Sequence, residues 1–366
     1  MNNPLETVVF IALPEEMNDM VQAVHIPSDV LLPVETGTDP THWDPTSLTW
    51  EMILAGMVKV VAWQPDHEHH RFYRQFLLEA QPTIVDDLIQ IGIRHGEAEE
   101  FFEAEGMFRA SAGIAPERPE GLVNLALTME RRGDAMHRLG RDEEAELVWE
   151  ATAAVYQEAI ATFSPPPPEL MMNGGLFFIK IQNIPQGMAY LQEFSTLTTD
   201  DSARQRVEHI LSQLRQQEQS DRLFKEAFDF INMGAEDRGI ARIREFLEHN
   251  KDAWNGWFLL GWGLRRIGKF SEALEAFQQA VELGGDTADT YNELAICNME
   301  LNNLDDAYKT LDYALRRDPD NVRIISNFGV LFMKRGEQEE ARRFFETALA
   351  LDPEDVVAQQ FIQSME

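Results

Sequence analysis

The last third of the chain repeats itself every 34 residues, and this period limits the possible folds more than any other feature of the sequence. Small residues recur in step, and so do large apolar ones. The positions in register are Gly261, Ala295 and Gly329; Ala273, Ala307 and Ala341; Ala280, Ala314 and Ala348; Trp257, Tyr291 and Ile325; Phe277, Leu311 and Phe345. A period of this length is typical of one supersecondary unit stacked on copies of itself.

Within each unit the pattern predicts two helices. Trp257, Leu260 and Leu264 follow steps of three and four, which places them on one face of a helix. A break at Ile267–Lys269 precedes a second stripe that contains Phe277. Small residues in both stripes allow the two helix backbones to approach closely. Asp-Pro pairs end the later units, because proline cannot donate a backbone hydrogen bond and disfavours helix at the preceding residue.

This pattern resembles the tetratricopeptide repeat, a family of paired-helix units. The three units that carry the resemblance read Trp257-Leu260-Gly261-Ala273-Phe277-Ala280, Tyr291-Leu294-Ala295-Ala307-Leu311-Ala314-Pro319 and Ile325-Phe328-Gly329-Ala341-Phe345-Ala348-Pro353. Gly285 departs from the proline that the family usually has at the end of a unit. The resemblance implies an all-α fold, a right-handed superhelix of helix pairs with a concave face.

Weaker copies of the pattern extend toward the N-terminus. We predict three domains: a non-repeat acidic segment 1–45, a degenerate helical block 46–218, and a C-terminal block 219–366. The C-terminal block holds repeats 220–253, 254–287, 288–321 and 322–355 and a short cap 356–366. In the middle block we predict repeats at 85–118, 119–167 (with two lengthened helices) and 168–201, a degenerate unit at 49–84, and an amphipathic helix at 202–217. The polar run 216–220 is the predicted boundary.

The resemblance also implies a binding surface. In this family the concave face is lined by set positions of each first helix. The candidate groove residues at these positions are Phe224, Phe228, Phe258, Trp262, Arg265, Arg266, Asn292, Ile296, Met299, Arg323, Ser326, Val330, Met333 and Lys334. Many are aromatic, aliphatic or methionine, and exposed apolar patches of this kind usually mark interaction sites.

We therefore predict a protein-binding scaffold whose groove takes an extended or helical peptide with an apolar core and one carboxylate, since Arg265, Arg266, Arg323 and Lys334 add basic groups to the groove. The alternative is that the same side chains are buried by the curvature of the superhelix, an intervening loop or a second copy. Family members that bind chaperone tails clamp a terminal carboxylate with lysine, arginine and asparagine. Asn292, Arg323 and Asn327 partly resemble this clamp, but Phe258 and Trp262 replace its other members, which argues against that activity.

The charge balance excludes some partners. The chain has 63 acidic and 31 basic residues, a formal net charge of −32. This charge repels phosphate backbones and anionic lipid, so neither nucleic acid nor membrane is expected as a partner. It favours a basic partner or simply high solubility. Cys297 is the only cysteine, and no charged signal start or long apolar span is evident, so we expect a cytoplasmic location.

No motif predicts catalysis, and we expect no active site, metal or cofactor. The alternative of another class is a metal-binding or enzymatic role at His67–His70, because His67 and His70 could share one face of a helix. A zinc site needs three or four converging ligands, and the sequence shows no others. Cys297 lies near Glu293 and Glu300, which raise a thiol pKa, so we interpret it as a packing residue. A third possibility is a chaperone for exported or aggregation-prone substrates.

The acidic N-terminal segment contains one apolar island, Val8–Leu13. Such an island needs a surface to cover it. We consider that it lies in the groove of its own chain as a plug, or in that of a neighbour, which would make residues 8–13 a site of self-association.

Overall fold

A computed structural model describes residues 3–12, 26–27, 29–37 and 40–365. This part of the chain contains seventeen α-helices and one two-stranded antiparallel sheet. The predicted all-α fold of paired helices is therefore confirmed, with the addition of a small β-hairpin. Two compact units follow each other along the chain, 1–211 and 212–366.

The first unit is built mainly from helix pairs joined by short connections. Its helices are α1 (Trp50–Trp63), α2 (His70–Ala80), α3 (Ile84–Glu97), α4 (Phe101–Ile114), α5 (Pro119–Arg138), α6 (Asp142–Thr162), α7 (Pro168–Lys180), α8 (Ile184–Leu197) and the start of α9 (Asp201–Asn232). The pairs α3–α4, α5–α6 and α7–α8 each pack as a hairpin. The pair α5–α6 has 20 and 21 residues, so the two lengthened helices of 119–167 are confirmed.

A β-hairpin covers α1. Strand β1 (Val8–Ile11) pairs antiparallel with β2 (Leu32–Glu35), and Leu32 and Val34 are fully buried. Gly56 of α1 makes room for this strand, because a Cβ added there would lie 2.3 Å from the Pro33 carbonyl oxygen. Helix α1 packs chiefly on β2 and α4, and less on α2. The predicted degenerate unit at 49–84 is thus a helix pair, but its small residue serves the strand and not the partner helix.

The hairpin also corrects our explanation of the apolar island. Val8, Val9 and Ile11 are half-buried against the core of the first unit. Leu13 lies outside the described residues. Strand β1 is therefore covered within its own unit. Residues 8–11 do not need the groove or a second copy of the chain to cover them, so the reason for a plug or a site of self-association at residues 8–13 is removed.

Helix α9 runs without interruption from Asp201 to Asn232. The predicted helix 202–217 and the first helix of repeat 220–253 are therefore one helix, with no break at 216–220. The stretch has no glycine or proline, and its glutamine, glutamate and arginine are good helix formers. The division between the units falls inside it, after Leu211 and not at the expected 218.

The second unit is a series of helix hairpins. Its helices after α9 are α10 (Glu236–His249), α11 (Trp254–Arg266), α12 (Phe270–Glu282), α13 (Ala288–Glu300), α14 (Leu304–Arg317), α15 (Val322–Arg335), α16 (Gln338–Leu351) and α17 (Val356–Met365). The pairs α11–α12, α13–α14 and α15–α16 coincide with the three strong repeats. Helix α17 packs on α16, where Phe361 stacks on Phe345 with ring centroids 5.0 Å apart.

The repeated small and large residues meet inside each hairpin. Phe277, Leu311 and Phe345 are fully buried on the second helices. A Cβ added to Gly261 would lie 2.8 Å from the Phe277 ring, and one added to Gly329 would lie 2.4 Å from the Phe345 ring. Each phenylalanine therefore occupies the space that the glycine of its partner helix leaves open. Among the described residues, none of the helices combines the length and apolarity that crossing a bilayer requires.

Candidate functional site

The second unit contains an open cavity of about 500 Å³ on the side formed by its first helices. Each lining residue lies on α9, α11, α13 or α15, or at the N-cap of α13. The lining consists of Phe224, Phe228, Trp254, Asn255, Phe258, Leu259, Trp262, Thr287, Asp289, Glu293 and Arg323. We call this the aromatic cavity. Five of the fourteen predicted groove residues, namely Phe224, Phe228, Phe258, Trp262 and Arg323, lie together in it.

The aromatic rings of the cavity are held from behind by core rings. Phe258 packs edge-on against the buried Phe277 with centroids 5.5 Å apart, and Phe224 packs in the same way on Phe246 at 5.5 Å. Phe228 is 47% exposed and lies 6.1 Å from the ring of Trp262. Rings supported in this way lose little conformational freedom when a ligand binds, which favours affinity.

Trp254 is a cavity residue that we did not predict. It begins α11 and is 38% exposed. The signal for it was present in the sequence, because Trp254, Phe258 and Trp262 follow one another at steps of four and so share a helix face. Leu259, Thr287 and Glu293 were also missed, and their positions depend on how neighbouring repeats meet.

Gly285 supports Trp254, which explains its departure from the family's proline. A Cβ at this position would lie 2.7 Å from Cε3 of Trp254 and 2.8 Å from the carbonyl oxygen of Ala280. Any larger residue must displace the indole or the end of α12.

We expect Gly285→Ala to lower the stability of the second unit by about 1–3 kcal/mol through overpacking. Hydrogen exchange of the α11 and α12 amides under increasing urea measures this loss. The double variant Trp254→Ala/Gly285→Ala should recover part of it, because the indole is then gone. Equal exchange in Gly285→Ala and wild type would show that Trp254 does not depend on this glycine.

The basic groove residues have partners within the unit. Arg265 pairs with Glu293 at 2.5 Å and Arg266 with Glu236 at 2.9 Å. Arg323 pairs with Asp289 at 2.8 Å, and Lys334 with Glu300 at 3.3 Å. Each pair joins neighbouring repeats. The four cations that we expect to attract a ligand carboxylate are thus already paired, and such a carboxylate would have to compete with these acidic side chains.

Three predicted groove residues are buried. Asn292 is 4% exposed, Met299 3% and Ser326 1%. The amide of Asn327 donates to Oδ1 of Asn292 at 2.7 Å, and the hydroxyl of Ser326 donates to Asp355 at 2.8 Å. Met299 belongs to the core around α14 and α15. Their positions on the helices point toward the packed interface between repeats, so they cannot line an open surface. The partial resemblance to a carboxylate clamp is also lost, because Asn292 is buried, the Asn327 amide donates to it, and Arg323 is paired with Asp289.

The remaining predicted residues lie away from the aromatic cavity. Ile296 lines a separate cavity of about 370 Å³ together with Arg265, Arg266 and Glu300. Val330 and Met333 are half-buried against the core around α15. Of the apolar residues that we expect in one groove, the four aromatic ones therefore line the aromatic cavity, and the aliphatic and methionine ones do not.

The histidines at 67–70 do not share a helix face. His67 lies in the turn before α2, which starts at His70. Its ring stacks on Phe10 at 5.4 Å, and its Nδ1 accepts a hydrogen bond from the backbone N–H of His69 at 3.0 Å. Burial lowers the pKa of His67. Across the described ranges, no group of three or more histidine, cysteine, aspartate or glutamate side chains is arranged to hold a metal ion.

Cys297 is buried in the core of the second unit, as predicted. Burial raises the pKa of the thiol to about 12; Glu293 and Glu300 raise it further, and Arg265 opposes them.

We expect iodoacetamide at pH 8 to label Cys297 very slowly in the folded protein, because only the thiolate attacks. Labelling in concentrated urea should be fast. Mass spectrometry measures the labelling rate. Equal rates with and without urea would contradict both the burial and the raised pKa.

Comparison with known proteins identifies the type of repeat in the second unit. Residues 239–357 match the profile of the cytochrome c-type biogenesis protein H TPR domain. The helix pairs of this stretch are therefore of the tetratricopeptide-repeat type.

Individual relatives are distant. Over 120 residues, which are 30% of this chain and 69% of the relative, the sequence is 27% identical to the photosystem I assembly protein Ycf3 of Prochlorococcus marinus. Among solved structures, YrrB, described as a TPR protein with an unusual peptide-binding site, aligns at 15% identity and TM-score 0.36, over 58% of this chain and 99% of that one. The TPR2AB-domain:pHSP90 complex of yeast Sti1 aligns at 14% identity and TM-score 0.34, over 71% and 99%.

Proposed function

We propose that this protein is a scaffold that binds a polypeptide segment in the aromatic cavity of its second unit. The observation that carries the proposal is the set of rings Phe224, Phe228, Phe258 and Trp262, which surround an open cavity and are supported by the core. A cavity of about 500 Å³ accommodates one or two large side chains of a peptide.

The ion pairs define the chemistry of the partner further. Arg323 is the cation among the described residues that line the cavity, and it is paired with Asp289, so a terminal carboxylate would have to compete with Asp289 for it. Apolar contact therefore supplies the affinity. Since the whole chain carries a formal charge of −32, flanking residues of the partner that are neutral or basic are favoured over acidic ones.

Selection from a displayed library of random peptides against the full-length protein tests this proposal. We expect the bound sequences to share one or two aromatic or large aliphatic residues with neutral or basic neighbours. The selected peptides should compete with one another for a single site. A selection that enriches acidic peptides without large apolar residues would contradict the proposed recognition.

A second candidate function is the holding of unassembled or aggregation-prone proteins. Two comparisons support it by name, since Ycf3 is an assembly protein and the matching profile comes from a biogenesis protein. The exposed ring of Phe228 is the kind of surface that would capture an unfolded chain. Suppression of the aggregation of reduced insulin, lost on Phe228→Ala, would support it. Unchanged aggregation in the presence of the wild-type protein would exclude it for that substrate.

A further inference from the structure

The first unit has a cavity of its own, of about 450 Å³, whose lining includes three arginines and a histidine. Arg71, Arg74 and His70 come from α2, and Arg109 comes from α4. The opposite wall is formed by α5 and α6. These side chains thus belong to the second helices of their pairs, whereas the aromatic cavity of the second unit is built by first helices. We call this the arginine cavity.

Two of the three arginines, Arg71 and Arg109, form no direct ion pair with a described residue. Arg74 is engaged, since its Nε donates to the Ile114 carbonyl at 2.5 Å and its η nitrogen pairs with Glu117 at 3.1 Å. Arg71 is exposed and makes no ion pair or hydrogen bond to the part of the chain that the structure describes. Arg109 likewise forms no ion pair with any described residue.

Arg109 is fixed in place by contacts other than a direct ion pair, and the Glu105 and Glu158 carboxylates act on its charge from farther away. Its guanidinium carbon lies 5.0 Å from the centroid of the Trp63 ring, and one η nitrogen lies 3.7 Å from the sulfur of Met129. Its Nε is shielded from solvent without a hydrogen-bond acceptor among the described residues, as is Nε2 of His70. Glu105, the nearby buried carboxylate, lies 3.1 Å from Arg132.

The rest of the lining is mostly apolar. Val61, Leu122, Leu125 and Val155 supply the walls, and Glu158 is the one carboxylate among the lining residues that the structure describes. A ligand must therefore present one negative charge to Arg71 and Arg109 and an apolar body to the walls. Glu158 already acts on Arg109 and would repel a second negative charge on the ligand.

We propose that the arginine cavity is a binding site for a carboxylate carried on an apolar body. Guanidinium groups recognise carboxylates through directed, charge-assisted hydrogen bonds, which are stronger than neutral ones. The volume of the cavity lies within the range of small-molecule sites. The carboxylate is that of a free aliphatic acid or of an apolar residue at the end of a polypeptide, and the two sources share this chemistry.

Calorimetric titration of the full-length protein with octanoate, and with octanamide as its uncharged counterpart, tests the proposal. Octanoate should bind at least ~10-fold more tightly than octanamide, because charged hydrogen bonds are roughly twice as strong as neutral ones. An acetylated peptide ending in Leu-Leu with a free carboxylate, titrated beside its amide, identifies the source. If the free-acid peptide competes with octanoate, the natural ligand is the end of a polypeptide. If octanoate binds and the peptide does not compete with it, the natural ligand is a free acid.

Matched variants localise the binding. Arg71→Gln should weaken octanoate binding ~10-fold or more, while Arg94→Gln, an exposed arginine of α3 outside the cavity, should leave it unchanged. Arg109→Gln provides a second test inside the cavity, with circular dichroism to confirm folding. Phe258→Ala/Trp262→Ala should retain octanoate binding, which separates this site from the aromatic cavity. Equal affinity for octanoate and octanamide, or unchanged affinity in both arginine variants, would overturn the proposal.

Discussion

Phe277→Ala is expected to lower the free energy of unfolding of the second unit by about 3–5 kcal/mol, the usual loss for deleting a buried phenylalanine. Phe277 is fully buried on α12, and its ring fills the space left by Gly261 of α11. It also supports Phe258 of the aromatic cavity at 5.5 Å. Alanine would leave a void between the two helices that a glycine on the other side cannot fill.

The loss is measured by hydrogen exchange of the α11 and α12 amides over a range of urea concentrations, because the chain has two units and a single global transition cannot be assumed. Phe277→Leu is the matched variant, since leucine occupies the equivalent position 311 of the next repeat. It should lower the free energy of unfolding clearly less than alanine does. Glu275→Ala, on the exposed side of the same helix, should lower it little. If Phe277→Ala and Glu275→Ala lowered the free energy of unfolding by the same small amount, this would contradict the packing of Phe277 between α11 and α12.

The second large effect concerns binding. The double variant Phe258→Ala/Trp262→Ala should weaken the affinity for peptides selected on the wild-type protein by at least ~100-fold. Aromatic residues at the centre of an interface commonly contribute about 2 kcal/mol or more each, and ~2.8 kcal/mol corresponds to a factor of 100. Both side chains line the aromatic cavity and lie on one face of α11.

Fluorescence anisotropy with a labelled peptide measures this affinity. The control is Tyr308→Ala, which removes an exposed aromatic ring from the second helix α14 of the same unit. It should leave the affinity unchanged. Circular dichroism and the exchange of α12 amides establish that the double variant stays folded. Peptide affinity within a few-fold of wild type in a folded double variant would place the binding site elsewhere.

The sequence predicted the helix pairs of the second unit well because their pattern is local. Residues such as Gly261 and Phe277 recur at a fixed period, and each pair is joined by a short turn. The β-hairpin of the first unit was missed because Val8–Ile11 meets Leu32–Glu35 across more than twenty residues of the chain, and neither strand is long enough to show alternation. The continuity of α9 is not evident from the sequence, because a polar run such as 216–220 occurs both in loops and in exposed turns of long helices.

The candidate site was predicted less completely. The concave-face positions of the repeat family correctly indicate that Phe258 and Trp262 lie on the same side of the unit. They do not indicate that Asn292 and Met299 are buried. Depth depends on how closely neighbouring repeats pack, which no single repeat encodes. The ion pairs were missed for the same reason, since Arg323 meets Asp289 only when two repeats are stacked.

Site-specific photocrosslinking tests the central claim most directly. Benzoylphenylalanine would replace either Phe228, at the open edge of the aromatic cavity, or Tyr308, a comparably exposed ring on the second helix α14. Irradiation with a peptide selected on the wild-type protein should give a covalent adduct from position 228 and none above background from position 308. Adducts from position 308 alone, or in equal yield from both positions, would contradict binding in the aromatic cavity.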